Sequence, residues 1–123
     1  MKPLRKTTLL SLFISATASI VALPASSADA ATSDCPSGYM CLWSQANYTG
    51  SFVKISATGS YRPISLSSVE SYYNHRTKRT WLHEKADGSG NYVCLDPGEK
   101  KASGLSGWMD NPKAVWLATI TNC

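Results

Sequence analysis

The sequence has few of the residues and none of the motifs that enzymes commonly use. It contains only two histidines, His75 and His83, and lacks the GxSxG, HExxH and glycine-rich phosphate-loop patterns. Glu84 follows His83 directly, so in a strand their side chains point to opposite faces. The carboxylates that a hydrolase could use show no spacing that selects a pair; they are Glu70, Glu84, Asp87, Asp96, Glu99 and Asp110. We therefore predict that the protein is not an enzyme and carries no cofactor.

A long apolar run of the kind that anchors a protein in a membrane is also missing. Residues 9–23 are apolar and uncharged, but this stretch is shorter than the roughly 20 residues of a membrane anchor. A basic start precedes it, and 28–30 read Ala-Asp-Ala, a small-x-small cleavage site. This pattern predicts a cleaved secretory signal peptide over 1–30 and an extracellular protein with no membrane association afterwards.

The remaining chain has little net charge. Residues 31–123 contain nine Lys and Arg against seven Asp and Glu, so no strongly basic surface for nucleic acid is expected. Ninety-three residues support a single domain and exclude large two-domain enzyme folds. We expect a monomer.

All four cysteines follow the predicted cleavage site. An even number in a short exported chain predicts two disulfides. Four cysteines allow three pairings. We favour a bond between Cys35 and Cys41, because the run between them is turn-forming, and a second bond between Cys94 and Cys123. The short C-x2-4-C pairs of a zinc site are missing, so we predict no metal site.

Short runs rich in Val, Ile, Thr and aromatic residues predict strands, with no amphipathic helix. The predicted strands are 39–44, 51–57, 79–85, 91–95 and 114–120, with a hairpin connection at 86–91 and a loop or weak strand at 100–112.

An offset of forty residues carries one half of the chain onto the other. It aligns Leu42 with Leu82 and Gly50 with Gly90; with four extra residues, 71–73 would align with 115–117. Two such units that bury one face against each other predict a Greek-key β-sandwich. The first motif would cover about 35–74 and the second about 78–123.

The segment around Trp43, Tyr48 and Gly50 has the spacing of aromatic, four residues, aromatic, one residue, glycine. It resembles the βγ-crystallin Greek-key motif. With Cys35, Tyr39 and Cys41 before it, the Ser-Tyr-Tyr-Asn run at 71–74 and the Asp-Pro-Gly run at 96–98, the chain resembles the secreted actinobacterial proteins of peptidase inhibitor family I36. That resemblance implies a βγ-crystallin-like fold and inhibition of metalloproteases.

The second half departs from this motif. His83 and Gly88 occupy the positions of Trp43 and Tyr48. The calcium-binding segment of βγ-crystallins is also incomplete, since Asp110 and Asn111 are kept without the oxygen ligands that should follow. A calcium ion prefers six to eight oxygens, so we predict no calcium site.

A protease inhibitor presents a rigid extended loop to the enzyme. The resemblance suggests Cys94 and Leu95 as the inhibitory segment. The alternative is that Leu95 is a core residue of a strand and Cys94 forms a structural disulfide. The turn 85–90 is the other candidate, and its glycines predict flexibility. A different hypothesis is a cell-surface or killer-toxin-like module that binds a cell-wall polymer, through the basic cluster 75–79 or through exposed aromatic rings. Otherwise the cluster is a solvated connection between the halves.

Overall fold

The computed structural model describes residues 32–56 and 60–123, and this part of the chain is all-β. The predicted signal peptide lies outside the described residues. The strands are β1 (Tyr39–Gln45), β2 (Thr49–Ile55), β3 (Arg62–Pro63), β4 (Ser71–His75), β5 (Thr80–His83), β6 (Tyr92–Leu95), β7 (Lys100–Lys101) and β8 (Ala114–Leu117). Two short 3-10 turns are Ala46–Tyr48 and Gly107–Asp110. Within the described residues, no helix has the length and apolarity needed to cross a bilayer.

The strands form two antiparallel sheets whose orders match. One sheet has the order β2-β1-β4-β7 and the other β6-β5-β8-β3. Strands β5 to β8 thus repeat β1 to β4, and each half gives its third strand to the opposite sheet. Strand β3 pairs with β8, and β7 pairs with β4. The exchange joins the halves into one Greek-key sandwich, so the fold class predicted from the sequence is confirmed.

Strand pairing tests the alignment of the halves. Leu42 lies opposite Val53, and Leu82 lies opposite Val93, as an offset of forty requires. In the last strand of each half the offset is 43, because Leu42 pairs with Tyr72 whereas Leu82 pairs with Val115. The predicted alignment of 71–73 with 115–117 is therefore wrong by one residue. A slip of one residue exchanges the two faces of a strand.

The interior between the sheets is made of apolar residues from both halves. Its buried members are Met40, Leu42, Ile64, Val69, Tyr72, Leu82, Leu95, Val115 and Leu117. Full burial of one such side chain stabilises the fold by about 1.5–3 kcal/mol. The loop or weak strand predicted at 100–112 contributes to this core through Leu105, Trp108 and Met109, so it is ordered by packing.

A second apolar cluster covers the outer face of the first sheet. Cys35, Cys41, Trp43 and Tyr48 are buried there, on the side of β1 opposite to Leu42. Strand β1 is therefore buried on both faces. The segment before β1 and the turn after it provide the cover.

The link between the halves is partly buried rather than solvated. Arg76 is 8% exposed, and its guanidinium donates to the carbonyls of Arg79 and Ala118, both at 2.7 Å. It also donates to the hydroxyl of Thr80 at 3.0 Å. The interpretation of 75–79 as a solvated connection is wrong at Arg76, because its buried guanidinium hydrogen-bonds to both the link and the C-terminal segment.

Candidate functional site

The first hairpin of each half folds over at a glycine. Gly50 and Gly90 have φ values of +80° and +79°, a region that side chains disfavour. A Cβ at Gly90 would lie 2.6 Å from Oε2 of Glu84, and one at Gly50 would meet the hydroxyl of Ser44. Both positions therefore require glycine for the same two reasons, backbone conformation and close approach.

The turn between β5 and β6, residues 84–91, is held by hydrogen bonds at its base. Oε2 of Glu84 accepts from the backbone nitrogen of Asn91 at 2.8 Å and from its Nδ2 at 2.9 Å. The backbone nitrogen of Glu84 donates to the carbonyl of Asn91 at 2.9 Å. One carboxylate thus joins the two ends of the turn.

The tip of the same turn is also ordered. Oδ1 of Asp87 accepts from the backbone nitrogen of Ser89 at 2.9 Å and from its hydroxyl at 2.6 Å. The backbone nitrogen of Gly88 donates to the carbonyl of Lys85 at 3.0 Å. These bonds constrain a turn whose glycines led us to expect flexibility.

Asp87 is the acidic group at this tip. The hydrogen bonds from Ser89 hold the pKa of the exposed Asp87 carboxyl below its usual range, so it is ionised at neutral pH. Both bonds fall on Oδ1. Among the described residues, Oδ2 has no hydrogen-bond partner and remains available to another molecule.

A groove lined by aromatic rings lies beside the turn, on the outer face of the second sheet. Its volume is about 310 Å³. The residues around it are Tyr61, Trp81, His83, Gly88, Tyr92 and Trp116; we call it the aromatic groove. The rings of Tyr61 and Trp116 are 4.8 Å apart, and those of Trp81 and Tyr92 are 5.1 Å apart, each pair tilted. The rings therefore form a concave surface rather than a flat one.

The two residues that depart from the βγ-crystallin motif form the floor of this groove. Gly88 leaves space that the Tyr61 ring fills, since a Cβ there would overlap that ring. His83 is 7% exposed, and no hydrogen-bond partner of its Nδ1 occurs among the described residues. Burial lowers the pKa of His83, with the Gly88 backbone acting in the opposite direction. The imidazole is therefore neutral at neutral pH.

The sequence-predicted inhibitory residues lie in a strand. Leu95 is 1% exposed in β6, where it pairs with Thr80. Cys94 is bonded to Cys123, and Cys35 to Cys41, with Cα atoms 5.8 and 5.9 Å apart respectively. Leu95 thus faces the core, and its side chain is not offered to solvent.

The two histidines are kept apart by the fold. His75 lies in the first sheet, stacks on Tyr73 at 4.6 Å and places Nδ1 2.8 Å from the carbonyl oxygen of Cys35. His83 lies in the second sheet. The structure therefore does not combine them in one site.

No group of three or more His, Cys, Asp or Glu side chains arranged to hold a metal occurs in residues 32–56 and 60–123. At the incomplete calcium segment, Nζ of Lys113 donates to Oδ1 of Asn111 at 2.8 Å. A lysine ammonium thus occupies an oxygen that a calcium ion would need.

Sequence analysis singled out no aromatic residue of this groove, and least of all Tyr61. It lies before β3, outside the aromatic hairpin motif. Nothing in its local sequence indicates that it packs on the other half, because that contact depends on the exchange of β3 between the sheets.

Two matching sheets, an exchanged third strand and a glycine-folded hairpin define a βγ-crystallin domain. A solved structure from work on the evolution of the eye lens beta-gamma-crystallin domain fold has a TM-score of 0.59 and 15% identity. The match covers 70% of this chain and 91% of that chain, and at this identity it shows the fold alone. No curated protein matches the sequence.

The model of peptidase inhibitor family I36 matches residues 28–95, more than half of the chain. The chain therefore belongs to peptidase inhibitor family I36. Membership of this family indicates a non-enzymatic inhibitor whose partner is a peptidase.

Proposed function

We propose that the protein is a secreted inhibitor of metallopeptidases and that it presents the 84–91 turn to the enzyme. The predicted signal peptide and the two disulfides support secretion, since such bonds persist in oxidising surroundings. Family membership supports a peptidase as the partner. The resemblance noted from the sequence supports the metallopeptidase class.

The observation that carries the proposal is the hydrogen-bonded tip of an exposed turn. Lys85, Ala86, Asp87 and Ser89 are all exposed, while Glu84 joins the two ends of the turn. A segment that is ordered before binding loses less conformational entropy when an enzyme binds it. The turn therefore suits an inhibitor better than a free glycine-rich loop would.

The carboxylate of Asp87 supports a metallopeptidase as the enzyme that the turn binds. A catalytic zinc ion keeps one coordination position open, and aspartate oxygen is among its ordinary ligands. The carboxylate of Asp87 is ionised, and its Oδ2 is not used within the turn. We place this oxygen toward the zinc ion of the bound enzyme.

The bond between Cys94 and Leu95 is the other candidate contact. Leu95 would have to leave the core, and β6 would have to separate from β5, before a peptidase could bind this segment. Because the turn is exposed without any such opening, we assign the contact to the turn.

The test is an inhibition assay with purified protein against a thermolysin-type enzyme and a serine peptidase. We expect near-stoichiometric inhibition of the metallopeptidase. Asp87→Ala should raise the inhibition constant at least tenfold, whereas Asp110→Ala, at an exposed aspartate in a different turn, should leave it unchanged. The absence of inhibition across several secreted metallopeptidases would contradict the proposed target class. Equal inhibition by Asp87→Ala and the unmodified protein would contradict the proposed contact.

A further inference from the structure

The aromatic groove exposes more apolar surface than its counterpart in the first half. Tyr92 is 60% exposed and Tyr61 is 41% exposed. On the outer face of the first sheet, Trp43 and Tyr48 are 2% and 7% exposed, and only Phe52 reaches 36%. The aromatic rings on the outer face are thus mostly buried in the first sheet and largely exposed to solvent in the second sheet.

The groove has no charged side chain in its lining, but it carries polar atoms. The lining side chains bear the hydroxyls of Tyr61 and Tyr92 and the indole nitrogens of Trp81 and Trp116. Throughout residues 32–56 and 60–123, no side-chain hydrogen bond involves any of these four atoms. A buried tryptophan N–H or tyrosine hydroxyl ordinarily has a partner. The groove therefore offers aromatic faces together with unused donors and acceptors.

One class of ligand matches this combination. A pyranose ring has C–H faces that stack on aromatic rings and hydroxyls around its edge that exchange hydrogen bonds. A volume of about 310 Å³ lies at the small end of the range of ligand pockets, which suits one sugar unit. An uncharged lining favours a neutral ligand. A stacked nucleic-acid strand would require a basic groove for its phosphates.

We propose that the aromatic groove binds a pyranose unit of a polysaccharide. Trp81 and Tyr92 would form the stacking surface, and the guanidinium carbon of Arg79 lies 5.2 Å from the centre of the Trp81 ring, a contact that restrains Trp81. The hydroxyl of Tyr61, which is 41% exposed, would contribute a hydrogen bond at the opposite side. The sugar unit belongs either to a cell-wall polymer or to a short free glycan. This binding goes beyond inhibition and does not depend on it.

The test uses the purified chain with insoluble chitin, cellulose and peptidoglycan in a sedimentation assay. A soluble chitin tetramer is titrated in parallel by tryptophan fluorescence. Tyr92→Ala is the principal variant, since its side chain is mostly exposed on the edge strand β6. Phe52→Ala is the matched control, because Phe52 holds the equivalent position in β2. Tyr92→Phe keeps the ring without the hydroxyl, and far-UV circular dichroism verifies that each variant is folded.

We expect retention on at least one polysaccharide, a loss of at least tenfold in affinity for Tyr92→Ala, and little change for Phe52→Ala. Tyr92→Phe should keep most of the affinity. Binding to the soluble tetramer as well as to the wall polymers would identify a short free glycan as sufficient, whereas binding to the polymers alone would assign the site to the cell wall.

The inhibition constant of Tyr92→Ala separates this proposal from the preceding one, since it should equal that of the unmodified protein. The absence of binding to every saccharide tested would overturn the proposal, and so would an equal loss in Phe52→Ala. Loss of peptidase inhibition by Tyr92→Ala, without polysaccharide binding by the unmodified protein, would show that the groove contacts the enzyme instead.

Discussion

Tyr61 stands edge-on to the imidazole of His83, with ring centres 4.9 Å apart and planes at 90°. In the first half, Tyr48 meets Trp43 in the same way, at 5.2 Å and 78°. Tyr48 belongs to the hairpin of its own half, whereas Tyr61 precedes β3, the strand that the first half gives to the second sheet. One half of the chain thus supplies the aromatic ring that the other half lacks.

Gly88 leaves the space in which the Tyr61 ring packs, and Gly88→Ala should displace that ring. The residue has φ of +83°, and a Cβ would overlap the Tyr61 ring. A left-handed conformation costs a side chain roughly 1–2 kcal/mol, and displacement of Tyr61 adds to this. We expect a loss of about 2–3 kcal/mol in the free energy of unfolding, measured by urea denaturation, with a changed near-ultraviolet circular dichroism spectrum.

Gly104→Ala is the control for this prediction. Its φ is +82°, yet a Cβ there would meet nothing closer than Cε of Lys101 at 3.9 Å. It should therefore show only the backbone cost and an unchanged aromatic spectrum. Equal losses in the two variants would mean that the contact between Gly88 and Tyr61 contributes nothing.

His83 should make the protein less stable in weak acid. Burial lowers its pKa in the folded state, while in the unfolded chain a histidine titrates near 6.5. Below that pH the unfolded state binds more protons, so the free energy of unfolding falls as pH falls, by at most about 1.4 kcal/mol per pH unit. Urea denaturation between pH 7.5 and 5.5 measures this slope.

His83→Phe should remove the slope, because the ring remains and the titrating nitrogen does not. His75→Phe leaves His83 in place and should retain it. If His83→Phe keeps the slope of the unmodified protein, the pH dependence comes from a different group.

Arg76 should be essential for holding the C-terminal segment. Arg76→Met keeps much of the apolar stem but leaves the carbonyls of Arg79 and Ala118 without their donors. A hydrogen bond to a charged group contributes about 1.5–3 kcal/mol. We expect a loss of about 2–4 kcal/mol in the free energy of unfolding, whereas Lys85→Met, at an exposed position, should change it by less than about 0.5 kcal/mol. A loss that matches that of Lys85→Met would assign Arg76 no structural role.

The sequence predicted the parts of the fold that depend on local pattern. The offset of forty could be read because Gly50 and Gly90 serve one local purpose, the folding of a hairpin, and because the strands that flank them alternate in step. The fold class followed from this repeat. The register of the last strand could not be predicted in this way. The sequence does not show where the preceding loop ends to within one residue, and one residue exchanges the two faces of the strand.

The aromatic groove could not be predicted in this way. It depends on β3, which is two residues long and too short to leave a periodic signal. The placement of β3 in the second sheet brings Tyr61 onto Gly88, a contact between residues in different halves. The substitutions at His83 and Gly88 were visible in the sequence as departures from the motif, but the residue that occupies the vacated space was not.

The two disulfides should contribute differently to stability. The bond between Cys94 and Cys123 closes 29 residues, and the bond between Cys35 and Cys41 closes six. Loop-closure entropy predicts about 3.5 kcal/mol for the longer loop and about 2 kcal/mol for the shorter one. Cys35 and Cys41 are, however, 2% and 0% exposed inside the outer cluster, so their replacement also disturbs packing.

We expect the double serine variant at Cys94 and Cys123 to lose about 3.5 kcal/mol in the free energy of unfolding, with little change in near-ultraviolet circular dichroism. The variant at Cys35 and Cys41 should alter that spectrum as well, because Trp43 and Tyr48 pack in the same cluster. Peptide mapping without reduction checks the premise, and a fragment that links Cys35 to Cys94 or Cys123 would refute both expectations.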